Sequence, residues 1–408
     1  MKSVENLKNA ILPITLLNCI FCMGVFEIPL NRPRYFLSGF YVISIMIGYF
    51  VMFYKGIYIF EQAYKYEFII FYFVIGLNTI VAVLAIILFW FKSEIINNII
   101  KRNSVADSTL EALGIKSEYQ KTYRNMLYLM AIWMLGMIMI FILNLIWMHD
   151  DTGYGFALYS CVCVCFPIMI NSIVDLTFAS LIRCLQIKFQ KTNSLISNVV
   201  FCANKSNTFK IHNKQQNTTT EFVMANYKNH KDKILHLIQT LRHLHLEITR
   251  IGKQINRGYC LQLLLEMAVH FAVVTATVYC LYGVFSGQLH VIVSNEKIVA
   301  MVLWAGTYSI KIVLVNYLAT NVTNEAYKTG EIIQSFEGSI IDNDLREEIH
   351  QFTQQIVLNS LHFTAFGFFS IDNSLTGKFF ATVTTYVVIL IQMNTPIIDY
   401  NDEQHNDM

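Results

Sequence analysis

Charge is what this chain of 408 residues has least of: 14% of its residues are Asp, Glu, Lys or Arg and 55% are hydrophobic. Soluble domains carry about 25% charged residues. So few charges cannot cover soluble domains, and a solvent other than water must face much of the chain; the bilayer meets that requirement. The net charge is only +2, which excludes a nucleic-acid partner. The nine cysteines all fall outside the predicted outer loops, which argues against an outer-loop disulfide. No enzyme motif is present, and no cofactor is implied. Cys161, Cys163 and Cys165 have metal-like spacing, but on a helix Cys163 points away from the other two, so they read as buried thiols. His243 and His245 with Glu247 read as a solvated helix face rather than a metal site.

What is present is a set of long apolar runs. A membrane helix needs about 20 predominantly apolar residues in a row. Six runs pass: Tyr35–Phe60, Phe68–Phe91, Met126–Met148, Phe156–Ile182, Leu261–Phe285 and Ile298–Thr320. A seventh, Leu375–Met393, carries Gly377, Lys378, Thr382, Thr384, Thr385 and Gln392, so it faces protein or water on one side. Ile11–Phe26 has the look of a signal peptide without a convincing cleavage site, and reads as a juxtamembrane helix along the inner interface.

Basic residues set the orientation. The N-terminal segment holds 4, the second loop 6, the fourth 13 and the sixth 3, with Lys378 at the lip of the seventh span included; the first and fifth loops hold one each, Lys65 and Lys297. The fourth loop exceeds the length for which the rule is safe, and without it the balance is still 13 to 2. The expectation is a multi-pass plasma-membrane protein, N-terminus cytoplasmic and C-terminus extracellular. That is inverted relative to a G-protein-coupled receptor, whose Asp-Arg-Tyr and Asn-Pro-x-x-Tyr signatures are also missing.

The parts follow: 1–34, an N-terminal segment; 35–182, spans one to four; 183–260, a cytoplasmic linker and heptad helix; 261–320, spans five and six; 321–374, cytoplasmic helices; 375–393, span seven; 394–408, an outer tail. Within the fourth loop, Ala203–Asp232 reads as a flexible linker. Beyond it Ile234, Leu237, Leu241, Leu244, Ile248, Ile251 and Ile255 form a heptad seam, with Gly252 and Gly258 as weak points. In the sixth loop Asp344 and Glu347 resemble a helix start, followed by the stripe Leu345, Ile349, Phe352 and Ile356. Such stripes must pack on each other or on another subunit, which predicts a cytoplasmic bundle. The fold class is an all-α membrane protein of seven spans.

The seventh span ends in Thr385-Tyr386, five hydrophobic residues, then Gln392-Met393. This is similar to the Thr-Tyr, five hydrophobics, Gln-Phe signature of insect gustatory receptors, with Met393 in place of the final Phe. Phe363-Thr-Ala-Phe-Gly367-Phe-Phe-Ser-Ile-Asp372 resembles the segment that precedes it in that family. The resemblance extends loosely over the whole chain and looks nearest to the fructose-type branch. It implies a taste receptor that is a homotetrameric ligand-gated cation channel, lined by the seventh helices, with a small-molecule tastant, permeating cations and membrane lipid as partners. Mixed assembly with other family subunits stays open. An odorant-type subunit needing a co-receptor and a metabotropic receptor are the alternatives.

Thr382, Thr385, Ile389 and Gln392 share one helical stripe. Given the resemblance, Ile389, Gln392 and Met393 form the gate region, and Tyr386 packs on a neighbouring helix; without it, the stripe reads equally as a polar seam of a lipid-facing helix. The tail's Asp399, Asp402, Glu403 and Asp407 would concentrate cations at the outer mouth, or form a plain acidic tail. Thr275, Tyr279 and Tyr282 lie on one face of the fifth span, and Trp304, Thr307 and Tyr308 on one face of the sixth. Asn78, Asn144 and Trp147 could complete a pocket, with aromatic walls and polar groups suited to a sugar. Taken singly, each aromatic also suits core packing. Asp175, Glu266 and Lys311 are intramembrane charges that form a cluster coupling ligand to pore; alternatively Lys311 snorkels to the interface.

Overall fold

The structure, a computed structural model, describes residues 6–26, 33–63, 69–213, 220–286, 295–335 and 343–394, with the backbone alone for 57–63, 69–72, 147–152, 200–213, 220–231 and 394. It is helical apart from one two-residue hairpin. Two short helices open it, α1 (Leu7–Ala10) and α2 (Leu12–Ile20). Then come α3 (Tyr35–Ala63), α4 (Ile69–Ala112), α5 (Tyr119–Thr152), α6 (Tyr154–Asn213), α7 (Thr220–Phe285), α8 (Asn295–Gln334), α9 (Asn343–Leu358), strands β1 (Thr364–Ala365) and β2 (Phe369–Ser370), and α10 (Asn373–Asn394).

Seven of these, α3 to α8 and α10, are long and apolar enough to cross a membrane. In hydrocarbon a backbone must satisfy its own hydrogen bonds, which is why each apolar run becomes a helix. Four far exceed the bilayer: α6 has 60 residues and α7 has 66, about 90 and 100 Å at 1.5 Å per residue, and α4 and α8 run to 44 and 40 residues. All four extend at the same end of the bundle, called here the projecting end.

The helices override two of the predicted loops. The predicted 203–232 linker is helical up to Asn213 and again from Thr220. The third loop, expected over His149–Gly155, contracts to Gly153, whose φ of +78° lets α5 end at Thr152 and α6 begin at Tyr154. Similarly, the segment expected as a helix over Ile11–Phe26 stops at Ile20, after which the chain turns. It is pinned to the bundle: Asn18 Nδ2 donates to Thr177 Oγ1 (3.0 Å), Tyr41 Oη to the Ile20 carbonyl (2.8 Å) and Trp90 Nε1 to the Cys22 carbonyl (3.3 Å).

α6 is the central span: 72% of its apolar window is buried, against 11% for α3 and 17% for α10. Its Ile173, Phe178, Ile182, Leu185 and Phe189 form the core with Ile248, Ile251 and Ile255 of α7 and Ile312, Ala319 and Val322 of α8. At the projecting end a second cluster packs Ile196, Ile238, Leu241 and Ile333 against Ile349, Phe352 and Ile356 of α9. The heptad and the α9 stripe therefore meet within one chain. Arg242 Nε pairs with the buried Glu348 carboxylate at 2.5 Å, and Gln355 Nε2 donates to the Arg242 carbonyl at 3.0 Å. α9 starts at Asn343, so Asp344 lies in the first turn.

Two expectations about this bundle are corrected. Gly252 is a point of closest approach, not a weak one: a Cβ there would stand 2.7 Å from Leu361 Cδ1 and 2.9 Å from Leu185 Cδ2. His245 is not on a solvated face. It is 3% exposed, set between the rings of Phe189 and Phe352, with Nε2 3.3 Å from the Ala326 carbonyl. Its neighbour Glu247 does face outward and pairs with Arg102 and Arg250.

Candidate functional site

α10 has two opposite faces. Phe379, Val383 and Val387, at i, i+4 and i+8, are buried against the rest of the chain. Thr382, Thr385, Ile389, Gln392 and Met393 are exposed, Met393 at 79%. Thr382 and Thr385 satisfy their hydroxyls on the helix's own backbone: Thr382 Oγ1 donates to the Lys378 carbonyl at 2.8 Å and Thr385 Oγ1 to that of Ala381 at 3.0 Å. Tyr386 is half exposed and meets Phe271 of α7 edge-on, centroids 5.4 Å apart. Asp399, Asp402, Glu403 and Asp407 of the tail lie outside the described residues.

The start of α10 is fixed at several points. Asp372 caps it, Oδ1 accepting from the Leu375 amide (3.1 Å) and the Ser374 hydroxyl (2.6 Å); these bonds hold its carboxyl below the usual carboxylate range. Asn316 Nδ2 donates to Thr376 Oγ1 at 2.9 Å, and the Asn373 amide to Thr320 Oγ1 at 2.9 Å. Just before it, the Phe363–Asp372 segment forms the β1–β2 hairpin, Thr364 opposite Ser370, its turn made by Phe366 and Gly367 at positive φ. Asn256 of α7 clamps this hairpin: its Oδ1 accepts from the Thr364 amide at 3.0 Å. Phe363 plugs into the core against Phe178, while Phe366 and Phe368 stack on each other at the exposed tip.

Of the predicted pocket residues, the structure brings Asn78, Trp304 and Tyr308 together. Tyr308 Oη donates to Asn78 Oδ1 at 3.3 Å, and Trp304 stacks on the Tyr308 ring at 5.9 Å. Two residues missed from sequence join them: Asn171 Nδ2 lies 3.4 Å from Asn78 Oδ1, and the His270 ring stands edge-on to Tyr308 at 5.2 Å. The signal was there, since a buried Asn or His inside an apolar span needs a partner. Asn144 belongs to a neighbouring group on α5 and α6, donating to Cys165 Sγ at 3.4 Å. Cys161 and Cys165 sit 3.8 Å apart there, Cys163 turned away. Thr307 bonds back to its own helix. Thr275 is buried with its hydroxyl unpartnered, and Tyr279 and Tyr282 stand toward the far end of α7. The side chain of Trp147 lies outside the described residues.

The three membrane charges converge. Lys311 Nζ lies 3.6 Å from Asp175 Oδ2 and 5.5 Å from the centre of the Tyr308 ring. The fully buried Glu266 carboxylate stands beside Asp175 and accepts from Gln262 Nε2 at 3.0 Å. Tyr308 therefore touches the Asn78 group on one side and the charge cluster on the other. Lys311 joins the cluster rather than reaching away from it.

Seven helices long and apolar enough to cross a membrane, packed around a central α6, define a multi-pass membrane protein. Residues 15–394 match the family model of the 7tm chemosensory receptors, and the chain belongs to that family. It is 31% identical to the gustatory and pheromone receptor 32a of Drosophila melanogaster over 149 residues, 36% of this chain and 32% of that one. With the gustatory receptor for bitter taste 66a of the same fly it shares 29% over 182 residues, 44% and 33% of the two chains. The match thus spans about a third of each relative's length. The insect olfactory receptor OR5 of Machilis hrabei superposes with a TM-score of 0.68 over 95% of this chain and 98% of its own, at 13% identity. The same receptor in complex with eugenol gives 0.64 at 15% identity.

Proposed function

We propose that the protein is a gustatory receptor that works as a ligand-gated cation channel, four copies surrounding a pore lined by α10. The observation that carries this reading is the two-faced α10: its apolar stripe is spent on its own chain, and its hydroxyl, amide and Ile389 stripe is left for a surface shared by several copies. Polar rings can pass ions and a ring of aliphatic side chains can gate by dewetting. Thr382 and Thr385 line the inner part in this reading, and Ile389, Gln392 and Met393 form the gate. The distribution of basic residues supports a cytoplasmic N-terminus, and in that orientation the projecting end is the cytoplasmic anchor. The exposed Phe366–Phe368 tip and the exposed Val357 and Leu358 support contact between copies there.

A small tastant binds around Asn78, Asn171, Trp304 and Tyr308, and Tyr308 transmits its presence to the Asp175–Glu266–Lys311 cluster and so to α7 and α8. A sugar suits the aromatic walls. A second reading, a compound with few hydroxyls such as a bitter substance, is favoured by the way Asn78 Oδ1 is already taken by Asn171 Nδ2 and Tyr308 Oη, which leaves the Asn171 carbonyl oxygen as the acceptor of this trio without a partner. A receptor for bitter taste among the relatives supports it. Expression alone in oocytes tests the reading: a screen of sugars and bitter compounds is expected to find one that evokes cation current with G proteins blocked. Current that appears only with a co-receptor, or only through G proteins, refutes it. Lys311→Met is expected to shift the ligand dose for half-maximal current at least tenfold while surface expression is kept; an unshifted dose removes the coupling role.

A further inference from the structure

Lys378 is the one charged residue of α10. It is exposed, and it stands in the middle of the polar stripe. At 3.6 residues per turn, Thr382, Thr385, Ile389 and Gln392 all fall within about 40° of its direction. The buried Phe379, Val383 and Val387 lie about 100° to 180° round the helix from it. Its carbonyl accepts from Thr382 Oγ1 at 2.8 Å, so the two residues sit one above the other. Asp372, six residues earlier, keeps Oδ1 for the Leu375 amide and the Ser374 hydroxyl. Among the described residues no carboxylate stands within ion-pair distance of the Lys378 ammonium.

Resting on the reading of α10 as a pore helix, we infer that Lys378 of four copies forms a ring of ammonium groups at the inner mouth, which holds back divalent cations more than monovalent ones. Rings of charged side chains set which ions a pore admits. At the water-filled end salt screens the ring over about 8 Å, so it weights ions by valence rather than closing the path. A potential of about one kT, modest beside the several kT a cleft can focus, lowers the local concentration of a monovalent cation about threefold and of a divalent one about sevenfold. On a helix that faces lipid the same lysine would instead snorkel to the phosphate head groups.

The field of the ring is readable without a ligand or a current. Thr385→Cys places a thiol seven residues, about 10 Å, beyond Lys378. That exceeds a Debye length at physiological salt, so one lysine hardly registers there and four around one axis do. The full-length receptor carrying this substitution, purified into nanodiscs, is treated with two methanethiosulfonates, one bearing trimethylammonium and the other sulfonate. Mass spectrometry of the peptide holding position 385 gives each rate. Any effect on the ionisation of the thiol is common to both reagents and cancels in their ratio. The reagents differ by two charges, so losing a potential of about one kT changes that ratio about sevenfold. The sulfonate-to-ammonium ratio is expected to fall about sevenfold on adding Lys378→Gln, to hold with Lys378→Arg, and to fall likewise at about 1 M salt, where the Debye length is about 3 Å. A ratio that Lys378→Gln leaves unchanged overturns the ring while the pore stands. A thiol at position 385 that neither reagent modifies refutes the pore reading itself, and the ring with it.

Discussion

Gly252 shows how much one hydrogen atom can decide in this chain. Leu361 and Leu185 occupy the space a methyl group would take, so Gly252→Ala overpacks the anchor and is expected to cost about 1–3 kcal/mol. Thermal unfolding in detergent checks this, and an unchanged melting temperature would show that the leucines yield. His245 decides the pH behaviour of the same region. Burial pushes its imidazole down from 6.5 to about 4, so the folded state holds the neutral ring while the unfolded chain takes up a proton below about 6.5. Stability is therefore full above that pH and is lost as pH falls from 6.5 toward 4. The melting temperature is expected to drop between pH 7.5 and pH 5, and to drop less in His245→Gln, which keeps a donor for the Ala326 carbonyl.

At the scale of elements, α10 depends on its cap. Asp372→Ala removes the acceptor for the Leu375 amide and is expected to destabilise the helix start by about 0.5–2 kcal/mol, read as faster amide exchange over the first turn. Since the capping bonds hold the carboxyl low, the cap is present above about pH 4 and is lost as pH falls through its depressed value. Ile389→Ser on the exposed stripe is expected to give current without ligand in the oocyte assay; silence in the absence of ligand argues against a gate there. The elements themselves were legible wherever apolar runs reached membrane length, and so was the α9 stripe. The hairpin was not. Its residues show no alternation long enough to announce strands, and what holds them is Asn256, 108 positions away. His245 was misread for the same reason: its partners, Phe189 on α6 and Phe352 on α9, lie on other elements. Asn78 and Tyr308 could be named from their spans, but only packing shows that Asn171 and His270 complete the group.

For the whole molecule, assembly is the property to measure. The exposed Phe366 and Phe368 side chains stand on a hairpin anchored in the core through Phe363, and among the described residues nothing but each other covers them. The double variant Phe366→Asp, Phe368→Asp is expected to lower the fraction of tetramer at least tenfold in mass photometry at fixed concentration, while each chain keeps its helical content. A distribution like that of the wild type would place the subunit contact elsewhere.

The bonds that secure the first turn of α10 also dictate how it can move. With Asn373 and Thr376 bonded to Thr320 and Asn316 of α8 and Asp372 capping the first turn, the helix is a lever with its fulcrum at the projecting end. It is 22 residues long, about 33 Å. A tilt of about 10° about that fulcrum displaces the far end by about 6 Å and leaves Thr376 almost still. Gln392 and Met393 sit on the last turn, where leverage is greatest, so in the proposed pore a modest push from α7 against Tyr386 would be multiplied into a wide change of aperture.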